Sequence, residues 1–436
     1  MNIAAFPKYE SYQDSGVKWI GKIPASWDVR RGKWLFKRMD RPVRPEDEIV
    51  TCFRDGMVTL RSNRRTEGFT NAMKEHGYQG IRKGDFVIHS MDAFAGAIGV
   101  SDSDGKSTPV YSACVPRVAG TVEPAFYAYY MRHIALSGLL VAMAKGIRER
   151  STDFRFNDFA DLALAAPPIG EQKAIVAFLD GKCATIDEAV RIKEEQIKLL
   201  RERRQILIQQ AVTRGLNPDA PMKDSGIDWI GQIPAHWEAV PILAVGEVID
   251  PNPSHRNPEY VDEGFPFIST QEFRPGGAIE IDTPRRVSKK TVEEQEDRCK
   301  FAKGSLVFSR KGTIGAVRVL PSGIRLGILD SLCVINPNRR VDPTYLFWTL
   351  SSDYLVAQYG PTLRGAALPQ LSVGRVRSLK IILPPKDEQP KIVQHLERET
   401  GKVENAISIK QDQIAALKEY KTSLINAAVT GKIKVI

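Results

Sequence analysis

The sequence predicts an α+β fold used twice: two globular domains joined by two long antiparallel coiled-coil helices, in an internal two-fold-like repeat. Three observations carry this. The chain resembles itself at a shift of roughly 215 residues, each copy mixes short β-like runs with helical stretches, and each copy closes on a heptad seam.

The self-similarity is clearest at the ends of the unit. SGVKWIGKIPASW at 15–27 returns as SGIDWIGQIPAHW at 225–237, and PPIGEQKAIVAFLD at 167–180 returns as PPKDEQPKIVQHLE at 384–397. QIKLL (196–200) matches QIAAL (413–417), and AVT at 211–213 recurs at 428–430. Between these landmarks the likeness thins to GDFVIHS (84–90) against GSLVFSR (304–310) and SACV (112–115) against SLCV (331–334). So long a period means one unit used twice, not a solenoid.

Residues 1–166 and 218–383 form the globular parts. Their β-like runs (DFVIHS, SACVPRV, SLVFSR, LCVIN) are broken by Gly, Pro and Asp, and helical stretches lie near 124–143 and 343–358. Pro167-Pro168 and Pro384-Pro385 then open the helical segments 167–217 and 384–436. Proline suits a helix entrance, and Glu171 or Glu388 suits the positive N-terminal end of the macrodipole. Gly215 with Pro218 stops the first helix.

In that helix Val176, Leu179, Cys183, Ile186, Val190, Lys193, Ile197, Leu200, Arg204, Leu207 and Ala211 alternate spacings of three and four, and Val393 to Ala428 repeats the rhythm. This is a coiled-coil seam of about five heptads. A helix over 171–214 would run about 66 Å, too long to bury its stripe on one small domain, and the other copy is its natural partner. The arrangement expected is a strut with a globular head at each end. Both copies carry a base at the same two seam positions, Lys193/Lys410 and Arg204/Lys421. These either snorkel to solvent or fix register and face a partner.

Composition narrows the function class. The 436 residues hold 62 Lys+Arg against 52 Asp+Glu, a net charge of +10, with 42% hydrophobic and 26% charged residues. That is an ordinary globular chain with a lean toward an anionic partner. MNIAAFPKYESY lacks the pattern of a signal peptide, and the longest apolar stretch, ALSGLLVAMA at 135–144, is half a membrane span. Five cysteines without a C-x-x-C argue against a disulfide framework or zinc site. A cytoplasmic location is the expectation.

Parts for catalysis are missing from the pattern. Glu171-Gln172-Lys173 with Asp161 upstream has the look of a nuclease centre, but the second copy reads Glu388-Gln389-Pro390 with Ser378 in place of Asp161. Only Glu-Gln is shared, which a helix entrance explains. Asn257-Pro258-Glu259-Tyr260 faintly echoes a base-flipping methyltransferase corner, yet no glycine-rich cofactor loop accompanies it. The six histidines show no metal-ligand spacing, and no G-x-S-x-G elbow is present. Cys114 and Cys333 sit at matching places in apolar runs, as core residues do. Trp19, Trp27, Trp229 and Trp237 recur at fixed places, which favours packing over base stacking.

The WIG-x-IP-x-x-W opening, the PP-x-x-EQ helix entrance and the AVT ending, each present twice in the same order, resemble the specificity subunit of type I restriction–modification systems. The resemblance spans essentially the whole chain. It implies target-recognition domains at 1–166 and 218–383, and spacer helices at 167–217 and 384–436. It further implies an asymmetric bipartite site in double-stranded DNA, one half per domain, and docking of two methyltransferase (modification) subunits and of restriction subunits. The chain itself would be non-catalytic, with S-adenosylmethionine, ATP and Mg used by those partners. The first copy has MDAFAGAIG (91–99) where the second has RKGTIG (310–315), so different loops should face the two half-sites.

Expected DNA contacts are basic or amide side chains in loops of the globular parts. In the first domain these are Arg54, Arg61, Arg64 and Arg65, and then Lys145, Arg148 and Arg150; in the second they are Arg310, Lys311, Arg364 and Gln370. Lys145-Gly146 and Arg364-Gly365 form the best pair of equivalent loops. A coiled-coil scaffold without a DNA role is the alternative, less economical because a spacer needs no basic heads.

Overall fold

The computed structural model describes residues 3–64, 76–143, 153–252, 258–274, 277–363 and 369–435. The chain forms two compact units: residues 1–194 with 411–436, and residues 195–410. Both units therefore take a piece of each long helix, where the sequence boundaries kept helices and globular parts separate.

In the first unit, β1 (Phe36–Met39), β2 (Phe86–His89), β3 (Ile98–Val100) and β4 (Tyr111–Pro116) make an antiparallel sheet ordered β1-β4-β2-β3. The strand β4 is buried at successive residues Tyr111, Ser112, Ala113 and Cys114, so both of its faces are covered and burial does not alternate. Phe36, Phe86 and Phe159 cluster on one face with Tyr127 from the helix Pro124–Leu136. Leu179 and Ile186 of the central helix (Ile169–Arg214) join the same core, as do Leu424, Ala428 and Val429 of the C-terminal helix (Gln389–Val429).

The second unit repeats the plan: β5 (Gly246–Ile249), β6 (Leu306–Ser309), β7 (Val317–Val319) and β8 (Leu332–Pro337) are ordered β5-β8-β6-β7. Its core takes Ile208, Ala211 and Val212 from the central helix and Ile392 and Leu396 from the C-terminal one. Cys114 and Cys333 are fully buried in the two central strands. In this unit a long strand, Tyr260–Ile268, and a helix, Lys289–Arg298, add a layer of their own.

Each recurring motif has a mechanical meaning. Trp27 and Trp237 are fully buried, while Trp229 is exposed and Trp19 packs at the edge of its core. Gly215 adopts φ +72° at the end of the central helix, and a Cβ there would lie 3.0 Å from the Trp237 ring. Gly431, at φ +70° beyond the C-terminal helix, would meet Pro24 at 2.5 Å and Trp27 at 3.2 Å. The tryptophan of each opening motif thus seals a helix end that only glycine can make.

The Glu-Gln pair works at the other end of each helix. Gln389 is fully buried; its carbonyl accepts from the Asp342 amide (2.6 Å), and its amide donates to the carbonyls of Arg340 (3.0 Å) and Pro384 (3.1 Å). Gln172 does the same for Glu123 (2.8 Å) and Pro167 (2.7 Å). Glu388 accepts from Trp237 Nε1 at 3.0 Å and pairs with His236 at 2.7 Å, and Glu171 accepts the Tyr9 hydroxyl.

Seam cations reach across. In the first unit Lys421 contacts both Asp187 oxygens at 2.7 Å and Lys193 donates to Gln413 at 2.7 Å. In the second, Arg204 pairs with Glu404 at 3.0 Å and lies over the Trp348 ring. Lys193, Arg204 and Lys421 therefore touch the opposite helix instead of extending to solvent.

Gln389→Ala would remove the partner of the buried Pro384 carbonyl and of the part-buried Asp342 amide and Arg340 carbonyl. We expect it to cost about 2–3 kcal/mol, read as a lowered urea midpoint. A loss below about 0.5 kcal/mol would remove the clamp role, since that is the size of a neutral surface change.

Candidate nucleic-acid interface

The second unit holds a cleft of about 1090 Å³ beside the end of β6, lined by Arg310, Lys311, Gln370, Arg375, Arg377 and Asp250 among others. Two segments sixty residues apart build its wall. Lys311 and Gln370 form an antiparallel bridge, and the Leu371 amide donates to the Arg310 carbonyl at 2.9 Å. Ser372 then caps the short helix Val373–Ser378, accepting from the Arg375 amide at 3.1 Å.

The cations of the cleft are not alike. Arg310 is 4% exposed and donates to Asp250 (2.8 Å) and to the carbonyls of Asp330 (2.7 Å) and Leu371 (3.2 Å). Expected in the sequence as a DNA contact, Arg310 has its guanidinium engaged inside the fold, where it fixes the wall. Lys311 is paired with Asp330 at 2.5 Å. Arg375 and Arg377 are exposed, and the bonds that hold them end on carbonyls: Arg375 on Gln358 (2.7 Å), Arg377 twice on Val248 (3.0 and 2.8 Å). A carbonyl orients a guanidinium without cancelling its charge, so both project positive potential.

Sequence reasoning brought Arg310, Lys311 and Gln370 to one place without knowing it, and missed Arg375 and Arg377. The signal for those two was two arginines two residues apart just after a Leu-Ser helix start. Arg65, Lys145, Arg148, Arg150 and Arg364 lie outside the described residues, as does Asn257.

In the first unit the same corner has different chemistry. Phe154 donates to the Ser90 carbonyl at 3.1 Å, as Leu371 does to Arg310, so Asp153 stands where Gln370 does. Asp153 is held by Arg155 at 2.8 Å, and the short helix Phe156–Asp161 carries Asp158 and Ala160 in place of the two arginines. Basic side chains gather instead around the hairpin Val50–Cys52 and Val58–Leu60. Arg54 pairs with Asp92 at 2.8 Å, Arg64 with Asp55 at 2.7 Å while covering the Phe53 ring, and Arg61 reaches Thr51 at 3.4 Å.

The side chains that gave the sequence its faint catalytic look are engaged within the fold. Among the described residues no three His, Cys, Asp or Glu side chains converge as metal ligands. Glu171 is occupied by Tyr9 and Asp161 by Lys33 at 2.9 Å. Burial pushes the Cys299 and Cys333 thiols up to about 12, far from thiolate formation at neutral pH. No described helix is long and apolar enough to cross a membrane.

The fold is a doubled α+β unit in which each copy packs pieces of two long helices, and comparison with known proteins shows what it is similar to. Residues 234–419 match the model of the type I restriction modification DNA specificity domain. The chain is 25% identical over 326 residues to the provisionally assigned MjaX type I specificity subunit of Methanocaldococcus jannaschii, covering 72% of this chain and 69% of that one. It is 22% identical to the MjaVIII subunit of the same organism, covering 64% of this chain and 63% of that one. With the Escherichia coli EcoBI subunit it shares 23% identity, covering 63% and 59%. The chain thus spans roughly three fifths to two thirds of these curated relatives.

Among solved structures, a chain from a study of complex assembly and conformational transition of the type I R-M system has the same fold, with TM-score 0.67 and 19% identity over 94% of this chain and 98% of that one. The HsdS subunit of Thermoanaerobacter tengcongensis gives 0.52 and 18%, over 96% and 100%. Residues 234–419 thus match the type I DNA specificity domain, and the chain as a whole is similar to type I restriction–modification specificity subunits.

Because Arg310 holds the cleft together, Arg310→Ala should destabilise the second unit by about 3–5 kcal/mol by leaving Asp250 without its ion partner. The check is urea unfolding of the full chain. A variant with unchanged stability and weaker DNA binding would return Arg310 to the list of direct contacts.

Proposed function

We propose that this chain is the specificity component of a type I restriction–modification complex and reads an asymmetric, bipartite site in double-stranded DNA, one half-site per unit. The observation that carries the reading is the doubled unit, whose second copy matches the specificity-domain model over 234–419. In this reading the two long helices pair as an antiparallel coiled coil that sets the spacer and docks two modification subunits and the restriction subunits. The chain contributes sequence readout and no bond chemistry. Methyl transfer from S-adenosylmethionine belongs to the modification subunits, and ATP- and Mg-dependent translocation and cleavage to the restriction subunits. The complex works on DNA in the cytoplasm.

Different chemistry at equivalent corners supports two unlike half-sites. Readers with Gln370, Arg375 and Arg377 in one unit and Asp153, Asp158 and Ala160 in the other cannot recognise the same bases. The helices, by contrast, must fit each other, and their seams stay alike.

Co-expression with the modification subunits, followed by genome-wide mapping of methylated adenine, tests this. We expect a two-part asymmetric motif that vanishes when this chain is deleted. Methylation indifferent to the deletion would sink the role and leave a DNA-free scaffold as the better account.

A further inference from the structure

We propose that Gln370 is a base-reading residue of the second unit and that the pair it reads is A·T, with Arg375 and Arg377 holding adjacent phosphates. The inference rests on the DNA-specificity reading and adds the residue, the base and the division of labour.

The first argument is chemical. Of the side chains lining the cleft, the cations can only donate, Asp250 can only accept, and the Ser372 hydroxyl accepts from its own helix cap and is a single atom that cannot present a flat donor–acceptor pair. Gln370 alone offers a donor and an acceptor side by side. Its amide is exposed and has no hydrogen-bond partner among the described residues. In the major groove adenine presents N6–H as donor and N7 as acceptor, the complement of a carboxamide. Guanine presents two acceptors, O6 and N7, and would leave the carboxamide oxygen facing a lone pair.

The second argument is rigidity. A reading residue discriminates only if its backbone cannot shift to accept the wrong base. Gln370 is bridged to Lys311, followed by the buried Leu371, and Leu371 is bound through both its amide and its carbonyl to Arg310. That arginine is in turn locked by Asp250 and the Asp330 carbonyl. The chain of contacts explains why a buried cation stands at this place: it fixes the platform of the reader.

The third argument is the placement of charge. Arg375 and Arg377 follow Gln370 by five and seven residues, on a capped helix, with guanidinium groups oriented by carbonyls and still carrying free donors. Such groups suit phosphate oxygens, which fix register on the duplex without choosing a base. The first unit has Asp153 and Asp158 at the corresponding places and cannot use this corner in the same way.

The test is selection of binding sites from a randomised duplex library by the purified full-length chain with the subunits that co-purify with it. Wild type, Gln370→Ala, Gln370→Glu and Arg377→Ala are compared at fixed salt. Gln370→Ala should make one A·T position of one half-site degenerate, lowering discrimination there about 5- to 140-fold, and leave the other half-site intact. Gln370→Glu, which can only accept, should move preference at that position from A toward C. Arg377→Ala should weaken binding on all sequences alike and reduce the slope of log affinity against log salt by about one.

An unchanged motif with Gln370→Ala, or loss confined to a G·C position, would overturn the assignment while leaving the specificity role intact. A wild-type chain that enriches no motif would instead overturn the role on which the assignment rests.

Discussion

A helix longer than forty residues cannot be stabilised by a small domain that covers only one end of it, and the architecture of each unit answers that constraint. Each core closes over the beginning of one long helix and the end of the other: Leu179 with Leu424 in the first unit, Leu396 with Ile208 in the second. The recurring motifs are the fittings of this closure. Tryptophan and glycine seal the outgoing end, glutamine ties the incoming end to the neighbouring helix cap, and glutamate holds an aromatic or indole group beside it. Every one of these side chains is buried or satisfied, which is why they recur in both copies although the faces around them diverge.

Divergence is concentrated where the fold makes few demands. The end of the second strand in each sheet receives the same backbone hydrogen bond, from Phe154 in one unit and Leu371 in the other. Around that fixed point the side chains change from Ser90 and Asp153 to Arg310 and Gln370. A scaffold whose core is set by β-sheet and helix caps tolerates such exchange, since these corner positions carry backbone pairing and not core volume. This separation of a constrained frame from a free corner lets the two units carry different chemistry on one scaffold.

The charge of the second unit's cleft illustrates how net charge misleads and geometry corrects it. Four cations line it, yet Arg310 and Lys311 are matched by Asp250 and Asp330. The potential that remains comes from two arginines oriented by carbonyl oxygens. Pairing a buried guanidinium with a carboxylate gives rigidity; orienting an exposed one with carbonyls gives affinity for anions. The same residue type serves both purposes a few ångströms apart.

The repeat, the two long helices, the structural character of Glu-Gln and the burial of Cys114, Cys333, Trp27 and Trp237 were all legible in the sequence. Each is encoded by spacing or by recurrence, and both survive in a one-dimensional string. Only the tertiary structure decided that Arg310 is internal, that Arg375 and Arg377 are the cations of the described cleft lining held by carbonyls instead of carboxylates, and that each unit takes a piece of both helices. Those outcomes depend on partners far away along the chain: Asp250 for Arg310, Val248 for Arg377, Glu404 for Arg204. A charge looks the same in sequence whether its partner is water, a carbonyl or a carboxylate, and its role is fixed only when folding brings that partner within hydrogen-bonding distance.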